Sequence, residues 1–232
     1  MFTHKPIKIA IDGPVGSGKG TLAIALAKKL NAFYVYTGAM YRELGLACLR
    51  EKIDTKNEDK IMEVLNGIFI KFKQTEEGIK AFLNDEDVSE EIFKPHVSKM
   101  ASEVATFPKV RREMVLRQRK MTKEAIDSGK SIVMEGRDIT TDVIPNADIK
   151  IYLTADIRKR AERRLRQFVD RGIEINFNDV LRDLEERDRR DTQRTISPLR
   201  VAKDAIVIDT TNDTVNETVD KTINKLKEKN LI

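Results

Sequence analysis

Apolar residues along the chain alternate between short strand-like blocks and longer helix-like stretches. The blocks KIAIDG, FYVY, SIVMEG, DIKIYL and DAIVID have the pattern of buried strands, and helical patterns lie between them and after the last. Short β-rich runs separated by helices indicate a parallel sheet with helices on both faces. Ligands of such sheets bind beyond the carboxyl ends of the strands. The pattern therefore predicts an α/β fold with a ligand site at that edge.

One stretch breaks this alternation. Residues 67–88 alternate with period two and carry a turn signal at Glu77-Gly78, which predicts a half-exposed antiparallel hairpin. Two helical stretches follow, at about 95–106 and 108–128, and each opens with a proline. We interpret this part of the chain as a small subdomain inserted between the second and third core strands.

A glycine-rich loop joins the first predicted strand to the first helix, which is expected at about Lys19–Leu30. The spacing from Gly13 to Gly18-Lys19 fits the pattern G-x-x-x-x-G-K. In such a loop the backbone N–H groups turn inward and the helix presents its positive end, which together form a concave phosphate site. A simple turn is the alternative, but the lysine and the strand–loop–helix context favour phosphate binding.

The residue after this lysine departs from the general phosphate-loop pattern. Gly20 stands where a serine or threonine hydroxyl usually binds magnesium, and Thr21 comes one residue later. The variant GKGT resembles the loop of the nucleoside monophosphate kinases. The variant therefore favours transfer of a phosphoryl group between nucleotides over nucleotide binding alone.

Composition narrows the class of protein. The 232 residues carry a net charge of +5 and 35% charged residues, which suits anionic ligands without requiring nucleic acid. The single cysteine, Cys48, lies in an apolar helical stretch and is expected in the core, which fits a reducing compartment. His4 and His96 are the only histidines, lie far apart in the sequence and have no cysteine neighbours, so we expect no zinc site built by the protein. We expect no signal peptide, no membrane span and a cytoplasmic location.

Three further segments carry candidate chemistry. In YTGAMYRELG, Thr37-Gly38 is expected to cap the next helix and Arg42 to project from its first turns, with a surface arginine as the alternative. In SIVMEGRDIT, a buried strand ends in two carboxylates and a guanidinium at the ligand edge, and Glu135 lies where phosphate-loop proteins carry an acid near magnesium. Ordinary surface ion pairs are the alternative there.

The third segment is rich in arginine. Arg160, Arg163 and Arg164 share a helix face, and Arg187, Asp191 and Arg194 recur at similar spacing. Periodicity alone favours a solvated, salt-bridged helix pair. Proximity to a phosphate loop favours cations that act on the transferred phosphoryl group.

These residues together resemble the bacterial cytidylate kinases over nearly the whole chain. The segments GPVGSGKGT, TGAMYR, ASEVATFPKVR, EGRD, RAERR, ERDRRDTQR and SPL occur in the family's order and at about its spacing. The resemblance implies a three-layer P-loop kinase fold with a five-stranded parallel core sheet, an inserted antiparallel NMP-binding subdomain and a helical lid. It implies phosphorylation of CMP or dCMP by ATP with Mg²⁺, and we expect a monomer. The predicted boundaries are 1–56, 129–153 and 200–232 for the core, about 57–128 for the insert and about 154–194 for the lid.

The resemblance also implies roles for individual residues. Residues expected at the ATP phosphates are Gly13, Pro14, Val15, Gly16, Ser17, Gly18, Lys19, Gly20 and Thr21. Ser102, Arg111 and Asp138 are expected to face cytosine. Residues expected around the rest of CMP are Thr37, Arg42, Arg137, Arg187, Asp191 and Arg194. Lys19, Arg137, Arg160 and Arg164 are expected to be catalytic, the last two in the lid, and Glu135 to bind magnesium through water.

Two residues depart from the family's pattern, and two other functions stay open. Glu135 stands where the family usually has aspartate, and Thr140 where it usually has glycine. One alternative is another nucleotide or small-molecule kinase on the same fold. The other is a nucleic-acid-binding P-loop regulator, which four tyrosines and no tryptophan disfavour because base stacking needs aromatic side chains.

Overall fold

The computed structural model describes residues 5–54, 56–75 and 78–232. The strands are β1 (Lys8–Asp12), β2 (Phe33–Tyr36), β3 (Ile70–Thr75), β4 (Gly78–Leu83), β5 (Glu86–Asp87), β6 (Ile132–Gly136), β7 (Ile149–Thr154) and β8 (Ile206–Asp209). The α-helices are α1 (Lys19–Lys29), α2 (Thr37–Arg50), α3 (Glu58–Gly67), α4 (Pro95–Val104), α5 (Pro108–Asp127), α6 (Ile157–Val169), α7 (Phe177–Gln193) and α8 (Val215–Glu228). A 3-10 turn at Glu91–Phe93 and a π-helical turn at Ile139–Val143 complete the description.

The core is a five-stranded parallel sheet in the order β2-β6-β1-β7-β8. All five strands predicted from the apolar blocks are confirmed. The inner strands β1 and β6 are almost wholly buried, whereas the edge strand β8 buries Ile208 and leaves Val207 exposed. Ile9 and Ile11 of β1 pack with α1 and α8 on one face, whereas Ala10 packs with the end of α5 and the π-helical turn on the other. The predicted three-layer arrangement is therefore present, and the carboxyl ends of the strands meet at one edge.

A separate antiparallel sheet is formed by β3, β4 and β5. Ile70 pairs with Leu83 at the open end of the β3–β4 hairpin, which confirms the hairpin predicted within residues 67–88. Its turn was predicted at Glu77-Gly78; Gly78 begins β4, and Glu77 lies outside the described residues. The third strand, β5, and the preceding helix α3 were not predicted. Residues of β3, β4 and helices α2 to α5 share one hydrophobic cluster, so this second sheet has a core of its own.

Helices α4 and α5 begin at the predicted prolines, although α4 ends at Val104, two residues before the predicted end. Helix α6 is capped by Asp156, whose carboxylate accepts hydrogen bonds from the backbone N–H groups of the next turn. Asn176 caps α7 in the same way. The two helices pack on each other through a small apolar cluster, which includes Ala161 and Leu184.

The prediction that Thr37 caps α2 is wrong. The helix begins at Thr37, and the capping position, Tyr36, makes no side-chain capping bond. The Thr37 hydroxyl instead donates a 2.8 Å hydrogen bond to the backbone carbonyl of Glu135. Because β2 and β6 are neighbours, with Tyr36 opposite Glu135, the hydroxyl ties the start of α2 to the end of β6.

Two expectations drawn from composition have structural counterparts. Cys48 is buried, carries a free thiol and belongs to the cluster beneath the second sheet, as predicted. Among the helices of the described ranges, none combines the length and the apolar character needed to cross a bilayer.

A buried carboxyl group in α2 has no counterpart in the sequence predictions. Glu43 is 0% exposed, and neither carboxyl oxygen has a hydrogen-bond partner within the described residues. Burial raises the pKa of Glu43 from its ordinary 4.5 to about 9. The folded protein therefore holds this side chain in the neutral, protonated form at pH 7, whereas the unfolded chain ionises it above about pH 4.5.

This difference predicts a pH-dependent gain in stability for Glu43→Gln. The folded-state pKa lies above the unfolded value, so the wild type loses stability as pH rises from about 4.5 to about 9, by at most about 1.4 kcal/mol per pH unit. The variant carries a neutral isostere in both states. Urea unfolding from pH 5 to pH 9 should show an advantage for Glu43→Gln that grows with pH. Glu51→Gln, an exposed change just past the end of α2, is the control, and an advantage independent of pH would contradict the account.

Candidate active site

The glycine-rich loop connects the end of β1 to the start of α1. Gly13, Gly16 and Gly18 all have positive φ angles, of 149°, 77° and 93°. Residues other than glycine rarely adopt such angles. A Cβ atom on Gly13 would also lie 2.1 Å from the carbonyl oxygen of Leu153 in β7. The glycines are therefore required by the backbone path, which brings the loop against the edge of the sheet and ends at the N-terminus of α1.

Lys19, the first residue of α1, folds back across this loop. Its ammonium group donates a 2.7 Å hydrogen bond to the backbone carbonyl of Pro14, and the residue is 5% exposed. Burial, together with the positive charge of Arg137, lowers the pKa of Lys19 from its ordinary 10.5 to about 7. An anion bound beside Lys19 would offset both effects.

A buried carboxylate at the end of β1 holds the π-helical turn that follows β6. Asp12 is 0% exposed and accepts hydrogen bonds from the backbone N–H groups of Ile139 and Thr140 at 3.0 and 2.7 Å. The Thr140 hydroxyl donates a third, at 2.6 Å. Burial outweighs these bonds and raises the pKa of Asp12 from 3.8 to about 6. The Thr140 hydroxyl thus has a buried partner, and the π-helical turn is fixed to β1.

Asp138 precedes this turn and forms a buried ion pair. Its carboxylate accepts a 2.5 Å hydrogen bond from Arg111 Nη2, and both side chains are less than a tenth exposed. Arg194 approaches the other carboxylate oxygen to 3.8 Å. Burial and the charge of Arg111 lower the pKa of Arg194. Ser102 lines the same cleft, and its hydroxyl accepts a 3.0 Å bond from Arg190, which leaves the hydroxyl proton for a ligand.

Helix α7 is tied to the end of β6 by a shared carboxylate. Asp191 accepts a 2.8 Å hydrogen bond from Arg137 Nε, and its other oxygen lies 3.6 Å from Arg194 Nη1. One turn earlier, Arg187 donates to Asp183 at 3.1 Å. Burial is the main cause of a lowered pKa for Arg187. The spacing of four and three at the end of α7 therefore brings Arg187, Asp191 and Arg194 into one cleft.

Arg42 reaches the cleft from α2. Its guanidinium donates a 2.9 Å hydrogen bond to the backbone carbonyl of Ile92 and another bond to the Ser98 hydroxyl, and its carbon lies 5.4 Å from the centre of the Phe93 ring. Arg42 is 9% exposed. The alternative of a surface arginine is therefore wrong.

The arginines of α6 are also buried. Arg160 pairs with Asp188 at 2.7 Å and donates a 3.1 Å hydrogen bond to the carbonyl of Val15, so α6 is fastened to the glycine loop. Arg164 lies over the Phe168 ring at 4.4 Å. Burial, and then the charges of Arg42 and Arg187, lower the pKa of Arg164 to about 10. For these two arginines the interpretation of a solvated helix face is wrong.

Glu135 is an acidic group close to the start of α1. The residue is 4% exposed, its carboxylate accepts a 3.3 Å bond from Tyr34, and a Cβ on Gly20 would lie 3.6 Å from its Oε1 atom. Within the described ranges, no three His, Cys, Asp or Glu side chains gather as a metal-binding group. A metal here would take one protein carboxylate and complete its shell with water and phosphate oxygens, an arrangement that suits Mg²⁺.

Most predicted site residues line one cleft of about 460 Å³. They are Val15, Gly16, Gly18, Lys19, Gly20, Thr21, Thr37, Arg42, Ser102, Arg111, Glu135, Arg137, Asp138, Arg164, Arg187, Asp191 and Arg194. Gly13, Pro14 and Arg160 do not line it, and Ser17 lines a second cleft of about 250 Å³. Gly16, Gly18 and Thr21 line both, so the glycine loop lies between two clefts.

Comparison with known proteins gives this arrangement a family. The family model described as cytidylate kinase matches residues 9–228. The chain belongs to the cytidylate kinase family. It is 44% identical to a cytidylate kinase of Bacillus cytotoxicus and 43% identical to one of Bacillus cereus, with 90% of both chains covered in each comparison. An uncharacterized protein from Eubacterium ventriosum shares the fold, with a TM-score of 0.54, 14% identity and coverage of 95% of this chain and 98% of that chain.

Membership of the cytidylate kinase family makes the protein a phosphotransferase. Three residues that help to build its site, Asp12, Asp188 and Phe93, were not among the predicted site residues. Asp12 ends the buried strand β1. A carboxylate at the carboxyl end of a core strand was the feature of the sequence that could have indicated its role. Asp188, the partner of Arg160, lies in the charged run ERDRRD, where periodicity could not distinguish it from surface acids. Phe93 contacts Arg42 from a 3-10 turn that has no clear pattern in the sequence.

The lowered pKa of Lys19 predicts proton uptake when an anion binds. At pH 7.5 a lysine of pKa about 7 is mostly neutral, and a bound polyphosphate should return it to the charged form, taking up roughly three-quarters of a proton. Titration calorimetry of tripolyphosphate in buffers of different ionisation enthalpy measures this uptake. Lys19→Arg is the matched control, because it keeps the charge and cannot titrate in this range. Equal uptake by both proteins would contradict the account.

Proposed function

We propose that the protein transfers the γ-phosphoryl group of ATP to CMP, and also to dCMP. The observation that carries the proposal is that the glycine loop and the Asp138–Arg111 pair line the same cleft. The loop suits the phosphates of one nucleotide, and the pair suits the polar edge of a cytosine. The likeness to curated cytidylate kinases supports this choice of substrate.

The ATP phosphates are assigned to the loop from Gly13 to Thr21. The inward N–H groups and the N-terminus of α1 favour negative charge, and Lys19 adds a cation within the loop. The second cleft, which Ser17, Arg163 and Thr210 line, adjoins the same loop and is proposed for the nucleoside part of ATP. The two clefts then bring the two substrates to the loop from opposite sides.

Magnesium is assigned to the neighbourhood of Glu135. A single buried carboxylate beside Gly20, with Thr21 one residue further on, fits an ion held largely through water and phosphate oxygens. When bound, the ion would neutralise charge on the phosphate oxygens. Glu135 would orient the water molecules of that shell.

Cytosine is assigned to Asp138, Arg111 and Ser102. The amino group at position 4 of cytosine is a donor, for which Asp138 is an acceptor, and N3 and O2 are acceptors for Arg111 and the free proton of Ser102. The ion pair at 2.5 Å fixes both charged groups before the base arrives. The site thus presents an acceptor and donors in the complementary order.

The CMP sugar and phosphate are assigned to the remaining residues of the cleft. They are Thr37, Arg42, Arg137, Arg187, Asp191 and Arg194. The Thr37 proton is donated to Glu135, so Thr37 is proposed to shape the wall of the cleft beside the phosphate. Arg42 and Arg137 are anchored by backbone carbonyls and a carboxylate, which holds their charges in place.

The reaction itself needs no general base. A nucleotide phosphate has a second pKa near 6, so its oxygens are already largely deprotonated at neutral pH and can attack the γ-phosphorus. The obstacle is the approach of one polyanion to another. Lys19, Arg137, Arg160 and Arg164 are proposed as the catalytic cations, since charge spreads over the transferred oxygens in the transition state. Arg160 acts from behind the loop, which it contacts through Val15.

The remaining predictions concern the whole protein. A monomeric state, a cytoplasmic location and the absence of nucleic-acid binding stay predictions. The same is true of the boundaries of the insert and of the lid, which is proposed to be α6 and α7 closing over the nucleotides to exclude water.

The choice of base is tested by Asp138→Asn. Uracil carries a carbonyl where cytosine carries the amine, so the carboxylate loses its partner, at a cost of about 1–3 kcal/mol or roughly ten- to a hundredfold in preference. An amide can turn its NH₂ group towards that carbonyl. Asp138→Asn should therefore lower kcat/KM for CMP and narrow the CMP:UMP ratio, measured at fixed ATP and magnesium.

Asp142→Asn is the matched control for this test. Asp142 lies in the adjacent turn, bonds to the Thr141 hydroxyl and does not line the cleft. This control should keep the wild-type ratio. An unchanged CMP:UMP ratio in Asp138→Asn would show that Asp138 does not read the base.

A further inference from the structure

Phe93 ends the 3-10 turn before α4, is half-buried and lines the main cleft. Two guanidinium groups approach its ring. The Arg42 carbon lies 5.4 Å from the ring centre and the Arg171 carbon 4.5 Å. The Tyr36 ring stacks on it with a centroid distance of 6.2 Å and an interplanar angle of 15°.

These partners come from different parts of the fold. Tyr36 ends β2 and Arg42 belongs to α2, whereas Arg171 lies between α6 and α7. Phe93 itself belongs to the segment that carries the antiparallel sheet. A side-chain contact between Phe93 and Arg171 therefore joins the α6–α7 pair directly to the part of the molecule on the other side of the cleft.

The neutral ring of Phe93 holds two arginines in a cleft whose positive charges repel one another. Arg42, Arg164, Arg171 and Arg187 all line the cleft, so their charges repel one another until an anion binds. Further carboxylates would neutralise the arginines but would also repel phosphate. An aromatic face attracts guanidinium groups through its quadrupole without adding negative charge, so it holds the cations and leaves them available to an anionic ligand.

We propose that Phe93 is a positioning residue for phosphoryl transfer, which holds Arg42 and Arg171 over its ring and thereby joins the α6–α7 pair to the CMP side of the cleft. The proposal rests on the proposed function, in which Arg42 binds the CMP phosphate. Phe93 does not contact the reacting atoms in this account. It sets the position of one phosphate-binding arginine and holds the α6–α7 pair against the CMP side of the cleft through Arg171.

The test is a double-mutant cycle on Phe93→Leu and Arg171→Ala. Each single variant should lower kcat/KM for CMP, Phe93→Leu by about three- to tenfold, the size expected for losing one or two partly exposed cation–π contacts. The two effects should not add, because both changes remove the contact between Phe93 and Arg171. Phe93→Tyr keeps the ring and should restore kcat/KM to within about twofold of the wild type.

A second readout separates positioning from simple packing. Leucine fills the apolar cluster beside Phe93 but leaves the cleft less closed, so water should compete with CMP as acceptor. The ratio of ADP formed to CDP formed should rise above the wild-type ratio in Phe93→Leu and Arg171→Ala. Arg158→Ala, which removes an exposed arginine of α6, is the matched control and should leave both readouts unchanged.

Additive single effects, or an unchanged ratio of ADP to CDP in Phe93→Leu, would overturn the proposal. Failure to rescue by Phe93→Tyr would also overturn it. A wild-type protein that does not phosphorylate CMP would instead contradict the proposed function, which is a distinguishable result.

Discussion

Repulsion among the basic side chains of the main cleft is the constraint on which the rest of the structure depends. In the described part of the chain, this cleft is lined by one lysine, seven arginines and three carboxylates. The consequences are visible in individual groups: burial and neighbouring cations lower the pKa of Lys19, Arg164 and Arg194. Phosphate groups supply the missing negative charge, so the site is most favourable when nucleotides occupy it.

The fold tolerates this excess because backbone carbonyls, carboxylates and aromatic rings of the protein hold the cations in place. Lys19 donates to a carbonyl of its own loop, and Arg137 shares Asp191 with Arg194. Arg164 lies over an aromatic ring. Asp12 contributes in another way, because its carboxylate accepts hydrogen bonds from Ile139 and Thr140 and so fixes the turn that follows Asp138. Asp191 thus holds arginines, whereas Asp12 holds the backbone.

Local patterns were sufficient to predict the five parallel strands, the phosphate loop and the α6–α7 pair, because short apolar blocks, glycine spacing and the helical periodicity of the arginines each leave a short-range signal. Contacts between distant segments could not be predicted. The Thr37 hydroxyl turns to Glu135 across two neighbouring strands, and Asp12 bonds to Thr140 across 128 positions. Glu43 has the spacing of an ordinary helix residue, and only packing shows that its carboxyl is buried without a partner. For Arg160 and Arg164, periodicity favoured solvent, whereas the tertiary structure buries both.

We propose that the excess positive charge of the cleft serves phosphoryl transfer to a cytosine nucleotide. Asp138, at one end of the cleft, recognises the cytosine base. The most direct measurement is ADP release from ATP and magnesium with CMP, dCMP, UMP, AMP and GMP as separate acceptors. The account predicts rapid release with CMP and dCMP, release with UMP about ten- to a hundredfold slower, and only background release with the purine nucleotides. Turnover with AMP or GMP that equals or exceeds turnover with CMP would contradict it.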